Sequence, residues 1–368
     1  MPILQAGQMI RETYEVEKFL GEGAFAEVYR VRHQFLGRQA MKVFKRVGMT
    51  GSDIEEVLGE AKLLTRIGHR NIVRVFDANL FETPQGVCGY FTMENVAGGS
   101  LDRFWRSHGA NLIPVETTIG VMRQVCLGLS VAHGESPPII HRDIKPHNIL
   151  VGYDPDGLRA VVSDFGLAKR VNQLTLLATA AGTLAFKPPE AFSKSKADSC
   201  TADVWALGVT LYLMLTDQLP FKIDPSLGWS NEKAFEKEPS RPSLWNGGVD
   251  AALEQIVLRC LEMSPTRRFA TAKELLCELD AWNKPAPLKE LRTKHVLSSD
   301  MSKSVLGVHS PVDHEEGQRL ARVAINIAQG EGRLSDAADI MEEAFNKSPV
   351  LRQRYADQVR LWRCGVSM

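Results

Sequence analysis

Along the first ninety-odd positions, short runs of β-favouring residues alternate with glycine-containing turns. Tyr14 to Leu20, Glu27 to His33 and Gln39 to Phe44 are predicted strands on that pattern. Residues 53–67 place apolar side chains at Ile54, Val57, Leu58, Ala61, Leu64 and Ile67, the three- and four-residue spacing of one helix face. Ile72 to Phe76 and Val87 to Met93 return to strand character. Beyond Gly98 and Gly99 helical periodicity dominates, in Val115 to Ala132, Ala202 to Leu215, Ala251 to Glu262 and Ala272 to Trp282. Between the first two lies a loop-rich centre with short strand pieces. The pattern predicts an α+β chain, a small sheet-rich lobe followed by a larger helical one. Residues 284–313, with proline-containing turns and several serines, read as a linker, and His314 to Trp362 is helical again.

Composition narrows the functional classes. The 368 residues suit one large or two modest domains, and 44% apolar content is enough to bury a core. Lysine plus arginine equals aspartate plus glutamate at 44 each, so no basic footprint for nucleic acid or an anionic membrane surface is expected. The six cysteines form no CxxC pair and have no zinc-knuckle spacing, which points to reduced thiols and a cytoplasmic setting. The N-terminus has no long apolar stretch of the secretory type. The most apolar segment, Val204 to Leu215, is too short to cross a bilayer and is flanked by Asp203 and Asp217, so it reads as a buried core helix.

Four polar constellations interrupt this pattern. Gly21, Glu22, Gly23 and Ala26 lie between two predicted strands, where glycines let backbone N–H groups approach an anion closely. A plain hairpin turn carries the same glycines, and no helix follows, so the dinucleotide-binding motif does not apply. Lys42 interrupts an otherwise apolar strand. It is either an edge lysine facing water or an ammonium held by an acid, for which Glu60 on the next helix is the candidate. His141-Arg142-Asp143, Lys145 and Asn148 pack many polar groups between apolar flanks. Asp164 ends a strand at Ser163-Asp164-Phe165-Gly166, and with Asn148 it offers the oxygen ligands a hard cation such as Mg²⁺ takes.

Taken in order, these motifs resemble a eukaryotic-type (Hanks-type) serine/threonine protein kinase over residues 12–283, with the family's bilobal fold divided at about residues 97 and 98. Segments such as KPHNIL and ATAAGTLAF resemble bacterial members. The resemblance implies ATP with Mg²⁺, or Mn²⁺, as cofactors and protein Ser/Thr hydroxyls as acceptors. It implies that Lys42, paired with Glu60, orders the α- and β-phosphates, that Asn148 and Asp164 hold metal, that Asp143 takes the hydroxyl proton and that Lys145 meets the γ-phosphate. Met93 takes the gatekeeper position, backbone groups from Glu94 to Val96 bond the adenine edge, and Val28, Ala40 and Leu150 sandwich the ring. Gly182-Thr183 and Pro188-Pro189-Glu190 resemble the close of the activation segment, with Thr183 structural, Thr179 the candidate phosphosite and Thr175 the second choice. The other reading of Thr179 is an ordinary loop residue. Arg268 is expected to hold Glu190, and Asp203 begins the family's buried central helix. Ala26 replaces the third glycine of the loop and Ser264 an aspartate.

Two other functional classes compete, a pseudokinase scaffold and a small-molecule phosphotransferase of related fold. The full set Lys42, Glu60, Asp143, Asn148 and Asp164 disfavours the first, and the activation-segment close disfavours the second. At the C-terminus, Ala321, Ala324 and Ala328, then Gly330 and Gly332, then Ala337, Met341 and Ala344 predict an antiparallel helical hairpin, whose spacing resembles half of a tetratricopeptide repeat. Leu351, Tyr355, Val359 and Trp362 suggest a third helix. One such unit cannot bury its apolar face alone. It is expected either to pack on the kinase or to dock a protein partner, the latter being the preferred expectation because the linker looks loose.

Overall fold

In the first lobe the central strands are buried on both faces, and successive residues join different cores as side chains alternate across the sheet. The computed structural model describes residues 2–23, 26–45, 59, 65, 67–83, 86–108, 112–165, 184–192, 199–224, 232–282, 311–330 and 332–366. Strands β1 (Met9–Ile10), β2 (Tyr14–Glu22), β3 (Ala26–His33), β4 (Gly37–Phe44), β5 (Val75–Thr83) and β6 (Gly86–Glu94) form one antiparallel sheet in the order β1-β2-β3-β4-β6-β5. Along β4, Met41 and Val43 join a core with Tyr29, Val31 and Tyr90 on one face. Ala40 and Phe44 join the main core on the other. Lys42 shares the second face by the same alternation. The helix expected over residues 53–67 falls almost wholly outside the described residues, as does Glu60.

The second lobe contains α1 (Leu101–Arg106), α2 (Val115–His133), α3 (Pro189–Phe192), α4 (Cys200–Thr216), α5 (Ala251–Cys260) and α6 (Ala272–Ala281), with the hairpin β7 (Ile149–Asp154) and β8 (Gly157–Val162). Helix α4 is buried at every position from Ala202 to Thr216, the signature of a helix that packs on all sides. Ser199 caps it, its side chain accepting the Ala202 N–H. Sequence periodicity locates α2, α4, α5 and α6 to within two residues at each end. It gives no sign of β1 or α1, which are too short to show a period, and it starts β5 at Ile72, which forms only an isolated bridge to Val162.

The C-terminal unit has three helices, α7 (Pro311–Gly330), α8 (Leu334–Lys347) and α9 (Val350–Arg363). The hairpin and the third helix suggested by Leu351, Tyr355, Val359 and Trp362 are both present, and the first helix takes in the last three residues of the predicted linker. Gly317 lies against Ser348, where an added Cβ would approach the Ser348 Cβ to 2.6 Å, so α7 packs very closely there. Ala324, Ala337, Met341, Ala344, Val359 and Trp362 fill the unit's own core. Outside that core, α8 meets the sheet through Glu343 and Asp336, and α9 meets β7 and α1 through Arg363 and Arg352. Among the described residues no helix is long and apolar enough to cross a membrane.

The contact of α4 with α5 depends on Gly208, where an added Cβ would meet the Cys260 Cβ at 2.4 Å and Leu261 Cδ2 at 3.2 Å. Both neighbours are buried, so neither can move aside without displacing the core. Gly208→Ala should therefore destabilise the protein by about 1–3 kcal/mol through overpacking, read from the urea midpoint. An unchanged midpoint would refute the close packing.

Candidate active site

The site assembles where the sheet meets the β7–β8 hairpin. Lys42 Nζ lies 2.6 Å from Asp164 Oδ1 and 5.6 Å from the centroid of Phe91, its register partner on β6. The lysine is 4% exposed. An ammonium so buried requires a partner, which excludes the edge-lysine alternative. Asp164 takes up φ 64°, a left-handed conformation uncommon outside glycine.

The hairpin explains how distant sequence positions meet. Its register pairs Ile149 with Val162, so the residues just outside it, Asn148 and Ser163, face each other. The Asn148 carbonyl accepts the Ser163 N–H at 2.9 Å and the Ser163 hydroxyl at 3.1 Å. Asn148 and Asp164 thereby emerge at the same end. Asn148 Nδ2 donates to the Asp143 carbonyl at 2.8 Å and to Asp143 Oδ2 at 2.9 Å. With its nitrogen used on Asp143, the amide leaves an oxygen for a cation. One carboxylate and one amide oxygen fit Mg²⁺, which keeps several waters and substrate phosphate oxygens in its shell. Among the described residues no group of three or more His, Cys, Asp or Glu could form a closed metal cage.

Asp143 is the most constrained carboxylate of the cleft. Its Oδ2 accepts from Asn148 and lies 2.9 Å from Lys145 Nζ. Its Oδ1 is buried without a hydrogen-bond partner among the described residues. Burial pushes the carboxyl pKa up, but the ammonium groups of Lys145 and Lys187 outweigh it and hold the group ionised below its ordinary 3.8. Lys187, which also donates to the Arg142 carbonyl at 2.7 Å, was not singled out from sequence. Its only sequence signal is one charge between the apolar Phe186 and Pro188.

Asp203 holds the loop that presents Asp143. Buried at 1% exposure, it accepts the N–H of His141 at 2.7 Å and of Arg142 at 2.8 Å, and His133 Nε2 lies 3.0 Å away. His133 Nδ1 accepts the Ala272 N–H, which leaves its proton on Nε2 for Asp203. Arg142 sits at φ 70°, and these two N–H bonds hold it there. His141 accepts the Asp143 N–H on Nδ1 and bonds the Ser163 carbonyl through Nε2, while its ring packs 4.5 Å from that of Phe165. One histidine so joins the loop bearing Asp143 to the segment bearing Asp164.

Beside Lys42, buried Ala40 and Met93 are register partners, and half-buried Val28 and Leu150 pack against the same core and make an apolar wall. The Glu94 N–H is given to the Arg74 carbonyl and its carboxylate to Arg159. That restricts Glu94 to an accepting role toward any base edge and leaves donation to the Asn95–Val96 side. Gly21 pairs with Val28 across β2 and β3, and the Gly23 N–H bonds the Ala26 carbonyl at 2.8 Å, so the glycine loop closes as a hairpin. Arg268 binds Glu190 through two parallel bonds of 2.7 and 2.8 Å and also donates to the carbonyls of Thr201, Glu262 and Met263. Gly166, Thr175, Thr179 and Thr183 lie outside the described residues.

Fold and site together define the bilobal protein kinase class. The family described as protein kinase domain matches residues 14–279. The chain is 32% identical over 277 residues to a probable serine/threonine-protein kinase of Clostridium acetobutylicum, covering 74% of this chain and 40% of that protein. It is 30% identical over 325 residues to serine/threonine-protein kinase A of Synechocystis sp., covering 83% and 61%. It is 32% identical over 279 residues to PknB of Mycobacterium tuberculosis, covering 73% and 43%. The solved kinase domain of Mycobacterium tuberculosis PknI shares the fold, with a TM-score of 0.57 at 23% identity over 76% of this chain and 99% of that one. The chain belongs to the protein kinase family. It spans between 40% and 61% of the length of the three curated relatives.

Removing the Asp203 carboxylate would leave the His141 and Arg142 N–H groups unpaired in a dry interior. Asp203→Ala should lose about 3 kcal/mol or more of unfolding free energy, measured in urea. Burial raises the Asp203 pKa, but the bonds from His133 and the His141 N–H lower it below 3.8 overall. Its contribution is therefore complete above that value and lost as pH falls through the lowered one. Asp203→Ala also removes the partner that raises the His133 pKa, so the wild-type advantage should hold or grow as pH falls from about 6 to about 4.5, and a difference that fades within that window would refute the assignment.

Proposed function

We propose that this chain is an ATP-dependent serine/threonine protein kinase, transferring the γ-phosphoryl group of Mg-ATP to protein Ser or Thr hydroxyls. The observation that carries the reading is the buried Asp143 carboxylate, with Oδ2 fixed by Lys145 and Asn148 and Oδ1 without a hydrogen-bond partner among the described residues. A hydroxyl donating to Oδ1 is oriented for attack. Its oxygen forms the new bond to Pγ as the bond from Pγ to the bridging oxygen breaks. ADP leaves with the electron pair, and Asp143 receives the proton. Lys42 meets the α- and β-phosphates, and Lys145 stabilises the transferring group, since charge spread over phosphate oxygens is what this reaction must neutralise. Asp164 and the Asn148 amide oxygen would hold Mg²⁺, with Mn²⁺ as the alternative, and the metal would supply charge neutralisation at the phosphates. Serine/threonine-protein kinase is the name carried by the curated relatives, and Lys145 two residues after Asp143 resembles that branch.

Regulation is proposed at the activation segment. Arg142 precedes the catalytic carboxylate, and a guanidinium there favours an incoming phosphate. Thr179, then Thr175, are the proposed acceptors, with Thr183 in a structural role. Recruitment of a protein partner by the C-terminal helices is less favoured than bracing, because α8 and α9 already seat on the kinase.

Asp143→Ala should lower phosphate transfer to a peptide by about a hundredfold or more while Mg-ADP still binds. Asp164→Ala should lose magnesium-dependent binding. Transfer at the wild-type rate by Asp143→Ala would remove the assigned base. Mass spectrometry of active protein should find phosphate on Thr179 or Thr175, and its absence from both would end the regulatory proposal.

A further inference from the structure

Two pairs of like charges face each other across the strands that carry the glycine loop. Lys18 of β2 is in register with Arg30 of β3, and Arg32 of β3 with Arg38 of β4. Cations directly opposite each other repel and open a sheet unless an anion lies between them. Glu17 serves the second pair, lying 2.8 Å from Arg32 and 3.1 Å from Arg38, and also reaches Arg30 Nε at 2.6 Å. Asp336 on α8 adds a contact of 3.3 Å to Arg38. The first pair is bridged from the C-terminal unit. Glu343 of α8 gives Oε2 to Lys18 at 2.5 Å and Oε1 to Arg30. Arg30 is 12% and Glu343 19% exposed, so solvent screens that arm only weakly, while the Lys18 arm, at 40%, is screened more.

The position of that bridge matters. Lys18 precedes Gly21 by three residues, and Arg30 follows Val28 by two and is in register with Ala40, part of the apolar wall beside Lys42. The unit supplying Glu343 is anchored on the other lobe. Arg363 donates to the Tyr153 carbonyl of β7 at 3.1 Å, Phe345 meets the Tyr153 ring edge-on at 5.9 Å, and Arg352 lies 4.5 Å from the Phe104 ring and bonds Ser107 at 3.1 Å. Glu342, next to Glu343, holds Arg363 at 2.7 Å and presses on Gly98 and Gly152, where an added Cβ would lie 3.2 Å from its Oε2. The unit thus spans the crossing between the lobes.

We propose that Glu343 is a positioning residue for nucleotide: by joining Lys18 to Arg30 it fixes the base of the hairpin whose turn faces the phosphates, and the three-helix unit ties that hairpin to the second lobe. This rests on the cleft being a nucleotide site. Glu343 touches no substrate and acts only through the strands, so its effect should fall on the phosphates and spare the base.

Calorimetric titration of the full chain with Mg-ADP and, separately, with adenosine separates the possibilities. Glu343→Gln should weaken Mg-ADP about three- to tenfold, the scale of one partly buried ion pair, and leave adenosine unchanged. Lys18→Met added to Glu343→Gln removes the facing charge and should recover much of the loss. Glu343→Asp, which keeps the charge but reaches one cation less well, should fall between and serves if the glutamine variant does not fold. Equal Mg-ADP affinity in wild type and Glu343→Gln would overturn the proposal, as would an equal loss for adenosine, which would make the contact a fold staple only. A wild-type chain that binds neither ligand would overturn the nucleotide reading itself, and the positioning role with it.

Discussion

A single buried carboxylate, Asp203, organises the loop that presents Asp143. Two backbone N–H groups and an imidazole converge on it at 2.7 to 3.0 Å. Without those bonds the loop would have to leave Arg142 in a left-handed conformation with its amide unpaired. With them, Asp143 follows at a fixed place, and Asn148 and Lys145 fix the direction of its side chain. Helix α4, buried along its length, is what keeps Asp203 still. The pair of Arg268 and Glu190 then ties the end of the activation segment to the same region, through a guanidinium that also lies 4.8 Å from the Trp205 ring.

The second constraint is the relation between the lobes. Lys42 comes from the sheet and Asp164 from the end of a hairpin in the other lobe, yet they meet at 2.6 Å. Anything that changes the angle between lobes changes that contact. The C-terminal helices lie across the crossing, with acids of α8 on the sheet and arginines of α9 on β7 and α1. The same sequence feature that suggested a partner-recruiting repeat, small residues at helical spacing, serves here to pack α7 against α8.

Much of this was legible in the chain because the chemistry uses costly residues. A lysine in an apolar strand, and two histidines, an arginine, a lysine, an aspartate and an asparagine within eight positions, are arrangements a passive loop does not need. The long helices were legible because each buries one or more faces with a steady period. What could not be read depended on tertiary contact. Lys187 lowers the Asp143 pKa from a segment whose local sequence is unremarkable. Arg159 holds Glu94 from a hairpin too short to announce itself. The in-register cations on β2, β3 and β4 look like ordinary solvated charge until the register places them face to face and Glu343, more than three hundred residues after Lys18, arrives between them.

The central claim is that the cleft moves phosphate from ATP to protein hydroxyls of one kind. The most direct measurement is a single-turnover reaction with γ-labelled ATP and Mg²⁺ on a peptide library containing Ser, Thr and Tyr, followed by phosphoamino-acid analysis and quantitation of ADP. The account predicts label on Ser and Thr, none on Tyr, and one ADP for each phosphate transferred. ADP released without labelled peptide, or label on Tyr, would contradict it.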